Sequence, residues 1–372
     1  MHVYIDATRA EAAWQLWGMS LLERILRQLD EAGATRVAVR ARPGWRDRLR
    51  PDYPGRVEVV DVDAPPGAPG LLLVLDGAAV YDARVLEHLL AAGGPTRIAG
   101  EPSAEVIGDD PGAPVAVVEL ATLPSYIANL RRHRVPYVLP IGSRADLAAA
   151  ERTMFTAVYK GVTDVVTRFV YPGLVRVITR RLAPTRVTPN QVTAVSMLLS
   201  FGAIPVFAMG HLGLGVVMGL VMSVLDSVDG KLARLTLRVS RTGNWMDHGS
   251  DFVYFGLWLV VVGLVAGVGA ARWLLPAAWL VDRGVAGVFR LLRHRELNDW
   301  APIDAAFRLV VIRRNVFLLV LGAGVLAGAP DVAVAVLAAW AVLGVVFHAA
   351  RTAWIVATDE PARASRLHGE TP

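Results

Sequence analysis

Four aspartates at helical spacing are the residues of this 372-residue chain best suited to do chemistry. They are Asp226, Asp229, Asp247 and Asp251. If 214–234 and 244–266 are helices, the first pair lies three residues apart and the second pair four, so each pair shares one helix face. Carboxylates within apolar segments typically mark an ion site or a catalytic site. Two antiparallel helices could therefore direct all four at one point. One or two hard divalent cations, Mg²⁺ or Mn²⁺, would neutralise them there and in turn hold phosphate oxygens.

Six apolar segments follow residue 189, and each has about the 20 residues needed to cross a bilayer. They are 190–210, 213–234, 244–268, 272–294, 309–329 and 331–356. The pattern predicts an all-α membrane domain of six transmembrane helices at 187–358. Lysine and arginine are concentrated in alternate connections, whereas the others hold one arginine, Arg272. Because positive residues favour the cytoplasmic side, we predict a multi-pass inner-membrane protein with both termini, including the tail 359–372, in the cytoplasm. The acidic cluster then lies near the inner leaflet, where water-soluble and lipid substrates meet.

An amphipathic stretch at 150–186 joins this domain to the N-terminal part. Apolar side chains alternate there at helical spacing with basic ones such as Lys160 and Arg168. This pattern is typical of a helix lying on the membrane surface against lipid. The alternative is a soluble helix packed on the N-terminal domain. Pro172 and Gly173 are expected to kink or split the helix.

Residues 1–145 show the pattern of a soluble α/β domain. Short apolar runs alternate with amphipathic helical stretches, which favours a parallel sheet covered by helices. The chain contains no cysteine, so disulfides, thiolate metal sites and cysteine nucleophiles are excluded. Its net charge of +5 accompanies 54% hydrophobic residues. That combination indicates cytoplasmic-face arginine and lysine of a membrane protein rather than a nucleic-acid partner.

The acidic cluster belongs to a longer pattern, D-x2-D-G-x2-A-R-x8-G-x3-D-x3-D, which runs from Asp226 to Asp251. It resembles the signature of the CDP-alcohol phosphotransferase (phosphatidyltransferase) family and matches every fixed position. The resemblance implies a transferase that moves a substituted phosphate from a CDP-alcohol, either CDP-diacylglycerol or a CDP-polyol, to an acceptor hydroxyl and releases CMP. Such enzymes serve phospholipid or inositol-phosphate biosynthesis and are homodimers.

Roles for individual residues follow from the resemblance. The four aspartates would be metal ligands, and Asp251 would also act as catalytic base on the acceptor hydroxyl. The nucleotide would bind at Asp226, Asp229, Gly230, Ala233, Arg234 and Gly243. The small residues Gly230 and Ala233 would let it lie close to the helix, unless they serve only helix packing.

A set of arginines near the predicted cytoplasmic helix ends suits an acceptor that carries its own phosphate. The set comprises Arg283, Arg290, Arg314 and Arg351. Arg283 lies deepest within its helix, although the adjacent Asp282 could pair with it. His348 is interpreted as a packed helix residue.

The N-terminal domain is similar to nucleotidyltransferases with a Rossmann-like sheet, on the strength of 20–26 and of Asp76 with Gly77. Two departures predict a degenerate, inactive domain. The loop 6–11 has no glycine to cradle phosphates, and Ala78 stands where the family has a metal-binding aspartate.

Two alternatives remain open at this point. One is a bifunctional cytidylyltransferase and phosphotransferase, and the other is a non-catalytic, nucleotide-binding membrane scaffold. A divalent-metal transporter is disfavoured, because the outer halves of the apolar segments are almost entirely alanine, valine, leucine and glycine.

Overall fold

The computed structural model describes residues 1–67, 70–110, 112–127, 130, 132–238 and 241–362, apart from the side chains of 241–250. Strands and two helices fill the N-terminal third. The strands are β1 His2–Ala7, β2 Gln15–Leu16, β3 Met19–Ser20, β4 Arg36–Ala41, β5 Glu58–Asp61, β6 Leu72–Asp76, β7 Ala79–Tyr81, β8 Thr96–Ile98, β9 Ala104–Ile107, β10 Ala116–Val118, β11 Tyr126–Ile127, β12 Arg132–His133 and β13 Val138–Pro140. The helices are α1 Leu21–Glu31 and α2 Ala83–Leu90.

Seven of these strands form one sheet in the order β10-β8-β9-β6-β1-β4-β5. Strand β1 lies inside the sheet, between β6 and β4, and is parallel to both. Val3 and Ile5 of β1 are buried in a core with Leu26 and Leu29 of α1, so the predicted α/β domain is confirmed. The sheet is mixed rather than parallel, because β9 runs antiparallel to β6 and β8. The five-residue connection 99–103 between β8 and β9 is too short for a parallel crossover.

The remainder of the described chain is helical. The helices are α3 Arg144–Ala157, α4 Tyr171–Leu182, α5 Pro189–Ala208, α6 Leu212–Leu235, α7 Arg241–Ala266, α8 Ala271–Arg293, α9 Pro302–Val310, α10 Arg314–Leu326 and α11 Pro330–Thr358. Four described segments are long and apolar enough to cross a membrane: Pro189–Ala208, Leu212–Leu235, Pro302–Leu326 and Pro330–Thr358. Helix α8 is not among them, since Asp282, Arg283 and Arg290 lie along its length.

The connector divides into two helices earlier than predicted. Helix α3 ends at Ala157, a π-helical turn covers Val166–Val170, and α4 follows directly. Pro172 lies in the first turn of α4, where its missing N–H has no helical partner to lose. Proline therefore begins this helix instead of breaking it.

One side of the connector packs on protein. Val166 and Val175 share a core with Leu21 of the N-terminal domain and Leu232 of α6. Apolar side chains on the other side are exposed, including Phe169 at 65%. The connector therefore packs against both the N-terminal domain and α6, and one apolar face of it stays exposed.

Two arginines of the N-terminal domain bind the ends of α4, in the connector, and α6, in the predicted membrane domain. The buried Arg24 donates from Nη2 to the carbonyl oxygens of Leu235 (2.7 Å) and Leu16 (3.2 Å). Arg50 donates to the carbonyl oxygens of Ala183 (2.7 Å) and Thr185 (2.8 Å) just beyond α4. Carbonyls at helix C-termini have no partner within their helix. The N-terminal domain thus supplies caps to α4 and α6, and we call this contact the guanidinium brace.

A carboxylate at the edge of the brace titrates unusually low. Burial alone would raise the pKa of Asp52, but the hydrogen bond and charge of Arg238, helped by Arg27 and Arg50, lower it to about 2 from 3.8. A depressed carboxyl pKa stabilises the fold fully above pH 3.8, and this stabilisation is lost as pH falls through about 2.

Replacing Asp52 by asparagine is therefore expected to lower the midpoint of thermal unfolding at about pH 6, and the difference from wild type should shrink as pH falls from about 4 to about 2. Asp47→Asn, at an exposed site outside the pair, is the matched control. A difference that stays constant over this pH range would contradict the assignment.

Candidate active site

A cavity of about 410 Å³ opens between α6, α7, α8, α10 and the segment 159–167 of the connector. Its lining is dominated by charged side chains of both signs. The carboxylates are Asp164, Asp226, Asp229, Asp251 and Glu296. The cations are Lys160, Lys231, Arg234, Arg283, Arg308, Arg313 and Arg314. A space of this size and charge suits a polar, anionic ligand.

Helix α6 brings the first two aspartates to this cavity on one face, as their spacing predicts. Asp229 is 6% exposed and accepts a hydrogen bond of 2.6 Å from the hydroxyl of Thr193 on α5. Asp226 is more open and accepts a hydrogen bond from Arg314 of α10. Asp229 is therefore bonded to the neighbouring helix α5, while Asp226 is bonded to a cation of α10.

Helix α7 contributes Asp251 from the opposite wall. Its side chain is 43% exposed, accepts 3.0 Å from Arg314 Nη1 and accepts a hydrogen bond from the hydroxyl of Tyr254. Asp247 and Gly243 belong to the same helix. Their side chains lie outside the described residues, so the predicted partnership of Asp247 with Asp251 remains a prediction.

Arg314 links the carboxylates of two helices. It begins α10 after the break at 311–313 that separates α10 from α9. One guanidinium contacts both Asp226 and Asp251, so the oxygens of α6 and α7 converge on one point. The sequence suggested an acceptor-binding role for Arg314, whereas its position is between the acidic residues themselves.

A buried amide supports this arrangement from behind. Asn315 follows Arg314, is 3% exposed and donates to both oxygens of Asp164 at 3.0 and 3.1 Å. Its carbonyl oxygen accepts from Ser223 of α6 and Tyr171 of α4. Sequence reasoning missed this network. A polar amide directly after two arginines, at the start of an apolar helix, was the available signal.

The predicted nucleotide-binding residues of α6 separate into two groups. Gly230 and Arg234 line the cavity, and a Cβ added to Gly230 would lie 3.3 Å from Arg234 Nη2. The absence of a side chain at Gly230 therefore leaves room for that guanidinium. Ala233 is not among the described residues of the lining. Lys231, which was not predicted, lines the cavity and lies over the ring of Tyr159 at 4.0 Å.

The four predicted acceptor arginines also separate. Arg283 and Arg314 line the cavity. Arg290 is 72% exposed and pairs with Glu296 at 3.5 Å. Arg351 pairs with Asp304 through two hydrogen bonds of 2.8 and 3.0 Å and lies outside the described lining. Arg290 and Arg351 thus lie outside the described lining and form ion pairs, and their acceptor-binding role remains a prediction.

Two further arginines take their place at the cavity. Arg308 of α9 is 8% exposed, and Arg313 precedes α10. Neither forms an ion pair with a residue that the structure describes, although both line the cavity. With Arg283, which was predicted as an acceptor-binding residue, Arg308 and Arg313 form a strongly cationic wall of the cavity.

The three described aspartates of the predicted cluster, which we call the acidic wall, carry the donor atoms that a hard divalent cation prefers. Asp226, Asp229 and Asp251 offer only oxygen donors, the type that Mg²⁺ and Mn²⁺ prefer. Two of them already approach one positive group, Arg314. Among the described residues, no cluster of three or more histidine, aspartate or glutamate side chains has metal-binding geometry.

Comparison with known proteins assigns the region that contains this cavity. Residues 186–350 match the family model described as CDP-alcohol phosphatidyltransferase. Three curated proteins, each named "Bifunctional IPC transferase and DIPP synthase", are similar to part of the chain. The protein from Archaeoglobus fulgidus is 31% identical over 151 residues, covering 38% of this chain and 30% of that protein.

The protein from Aquifex aeolicus is 31% identical over 117 residues, covering 30% of this chain and 26% of its own length. The protein from Thermococcus kodakarensis is 33% identical over 120 residues, covering 32% and 27%. The chain therefore spans less than a third of the length of these relatives.

Proposed function

Because residues 186–350 form a domain of the CDP-alcohol phosphatidyltransferase family, we propose that the chain is an integral membrane phosphotransferase. It moves a substituted phosphate from a CDP-alcohol to an acceptor hydroxyl and releases CMP. The observation that carries this proposal is the convergence of Asp226, Asp229 and Asp251 on one cavity from two separate helices. A scaffold that only binds nucleotide has no need of three carboxylates in the same cavity.

The membrane arrangement follows from the positions of charge. In our proposal α5, α6, α7, α8, α10 and α11 cross the membrane, with both termini in the cytoplasm. The guanidinium brace attaches the N-terminal domain to the end of α6 that follows Asp226 and Asp229. The connections at the opposite end are short, as between α5 and α6. The exposed apolar side chains of the connector, such as Phe169, suit contact with the lipid surface.

The residues of the cavity then divide the work. Asp226, Asp229 and Asp251, together with the predicted Asp247, would hold one or two Mg²⁺ or Mn²⁺ ions. A bound divalent ion neutralises a diphosphate and stabilises charge that develops on a leaving phosphate. Gly230 and Arg234 lie where the CDP moiety would be held against α6, and Gly243 remains a predicted part of that surface.

Asp251 is best suited to act as base. It is the most accessible of the three described aspartates, and its carboxylate pairs with the guanidinium of Arg314 at 3.0 Å. The acceptor hydroxyl gives its proton to this carboxylate, and its oxygen bonds to the phosphorus that carries the donor alcohol. The bond from that phosphorus to the bridging oxygen breaks, and CMP leaves with the bridging oxygen.

The cationic wall indicates the acceptor class. Arg283, Arg308 and Arg313 face the same cavity as the carboxylates. The buried Arg308 would need an anion, and a planar guanidinium matches phosphate oxygens in pairs. We therefore propose a phosphorylated alcohol, such as an inositol phosphate or glycerol phosphate, as acceptor.

The N-terminal domain does not supply the donor in this proposal. Arg9 forms an ion pair of 3.1 Å with Asp76, the aspartate of the Asp-Gly pair on which the nucleotidyltransferase resemblance rests. The other oxygen of Asp76 accepts 2.7 Å from the backbone N–H of Ala78. The relatives' name, however, describes bifunctional proteins, which favours a second candidate: a chain that also makes its own CDP-alcohol. Consumption of CTP by the full chain would support that candidate.

A substrate panel tests the proposed function directly. Purified protein is offered CDP-diacylglycerol, CDP-inositol and CDP-glycerol, each with inositol phosphate and glycerol phosphate, and CMP and product mass are measured. We expect CMP release with at least one pair, loss of it in EDTA, and recovery with excess Mg²⁺ or Mn²⁺. Turnover that persists in EDTA would contradict the metal assignment, and no CMP with any pair would favour the scaffold.

Assembly as a homodimer is also proposed, from the family resemblance. Apolar side chains exposed on α7 and α11, such as Leu257 and Val336, could supply the contact. Intersubunit crosslinking in native membranes tests it.

A further inference from the structure

A carboxylate lies buried in the helical bundle away from the acidic wall. Asp282 of α8 is 4% exposed. One of its oxygens lies 2.5 Å from Nδ1 of His348 on α11, and the other lies 2.5 Å from Nη2 of Arg283. A buried carboxylate is costly unless both oxygens are satisfied. The pair of contacts therefore fixes the rotation of the carboxylate, since turning it would break both.

His348 has no other polar role among the residues that the structure describes. It is 1% exposed, its Nε2 has no hydrogen-bond partner there, and its ring stands edge-on to the rings of Phe307 and Phe347. The sequence interpretation of a packed helix residue is correct for the ring but omits its bond to Asp282. These aromatic contacts fix the orientation of the imidazole ring, so Nδ1 meets Asp282 from one direction.

The contacts run from His348 through Asp282 to Arg283, and Arg283 is the member that reaches the cavity. It follows Asp282 directly in α8 and lines the cavity. Successive side chains on a helix diverge by about 100°, so a contact between neighbours requires the long arginine to bend back to the carboxylate. The direction of its guanidinium thus depends on where His348 holds Asp282.

We propose that His348 and Asp282 are positioning residues, which aim Arg283 at the phosphate of the acceptor. The inference rests on the proposed function for the identity of the ligand. In metal sites, loss of the residue that orients a ligand weakens binding by about tenfold or more, and we expect an effect of similar size for the residue that orients Arg283.

Binding of inorganic phosphate to the purified full-length protein tests this independently of turnover. His348→Leu is expected to raise the dissociation constant for phosphate, measured by titration calorimetry, by about tenfold. His348→Asn places an amide near the position of Nδ1 and should restore binding to within about threefold of wild type. His211→Leu, remote from the cavity at the start of α6, is the matched control.

A double-mutant cycle shows whether the effect of His348 on phosphate binding acts through Arg283 or through packing of the bundle. If His348 acts through Arg283, His348→Leu should add little once Arg283 is glutamine. In turnover assays the acceptor KM should rise about tenfold, while kcat and the donor KM stay within about twofold.

Unchanged phosphate affinity in His348→Leu, or full additivity with Arg283→Gln, would overturn the inference. The absence of CMP release from wild type would instead contradict the proposed function alone.

Discussion

Asp251→Asn is expected to reduce CMP release by about a thousandfold or more, because asparagine can neither take the proton of the acceptor nor bind a cation as an anion. The variant keeps the shape of the side chain, so the helices should pack as before. Tyr254→Phe removes only the hydroxyl that donates to Asp251 and should cost about tenfold. Initial rates with saturating donor and acceptor, measured against thermal unfolding curves, provide the comparison.

The control for charge loss is Asp331→Asn, in the first turn of α11 at the opposite end of the bundle. It should leave the rate unchanged. An Asp251→Asn protein that retains more than about a tenth of wild-type activity would remove this residue from the role of base, since general bases contribute at least about a hundredfold.

Arg24→Leu is expected to destabilise the protein strongly. Two backbone carbonyls, those of Leu235 and Leu16, would lose their shared donor in a buried site. Hydrogen bonds that involve a charged group contribute about 1.5–3 kcal/mol each, so a loss of about 3 kcal/mol or more should follow. Thermal unfolding should shift by several degrees, and amide exchange should accelerate at the last turn of α6.

Arg24→Lys keeps the charge but offers no planar fork, so it should retain part of the stability. Arg36→Leu, at a surface pair with Glu58 that is 63% exposed on the arginine side, should be nearly neutral. Unchanged amide exchange around Leu235 in Arg24→Leu would show that the carbonyl contact does not hold the end of α6.

The aspartate cluster could be predicted because helical periodicity alone decides which residues share a face. Asp226 and Asp229 needed only that α6 be a helix, and Asp251 needed only an antiparallel neighbour. The side chain of Asp247 lies outside the described part of α7, so its place in the cluster remains a prediction. The location of the helices was equally accessible, since long apolar segments have few alternatives.

The sequence could not show which arginines line the cavity and which form ion pairs elsewhere. Whether a cation near a helix end faces a ligand or an acidic neighbour depends on elements far along the chain. Arg351 is engaged by Asp304 of α9, and Arg308 is brought to the cavity by the same short helix. The break at 311–313 sets both outcomes, and no glycine or proline marks it.

In the N-terminal domain, too, the local sequence pattern predicts some features and not others. Its layered architecture followed from alternating apolar runs, whereas the antiparallel β9 depended on a short connection whose direction the pattern does not encode. The connector was mispredicted at Pro172 for a related reason: proline disfavours helix interiors but suits helix starts, and only the position of the preceding break distinguishes the two.

Gly18 has a consequence for anyone who wishes to redesign this protein. Its φ is +78°, and a Cβ there would lie 2.1 Å from the carbonyl oxygen of Ala183. The turn therefore touches the membrane half through bare main chain, with Arg50 bonded to both sides of the seam. A chimaera that transplants the bundle onto another soluble partner would need a glycine in a left-handed turn at that spot.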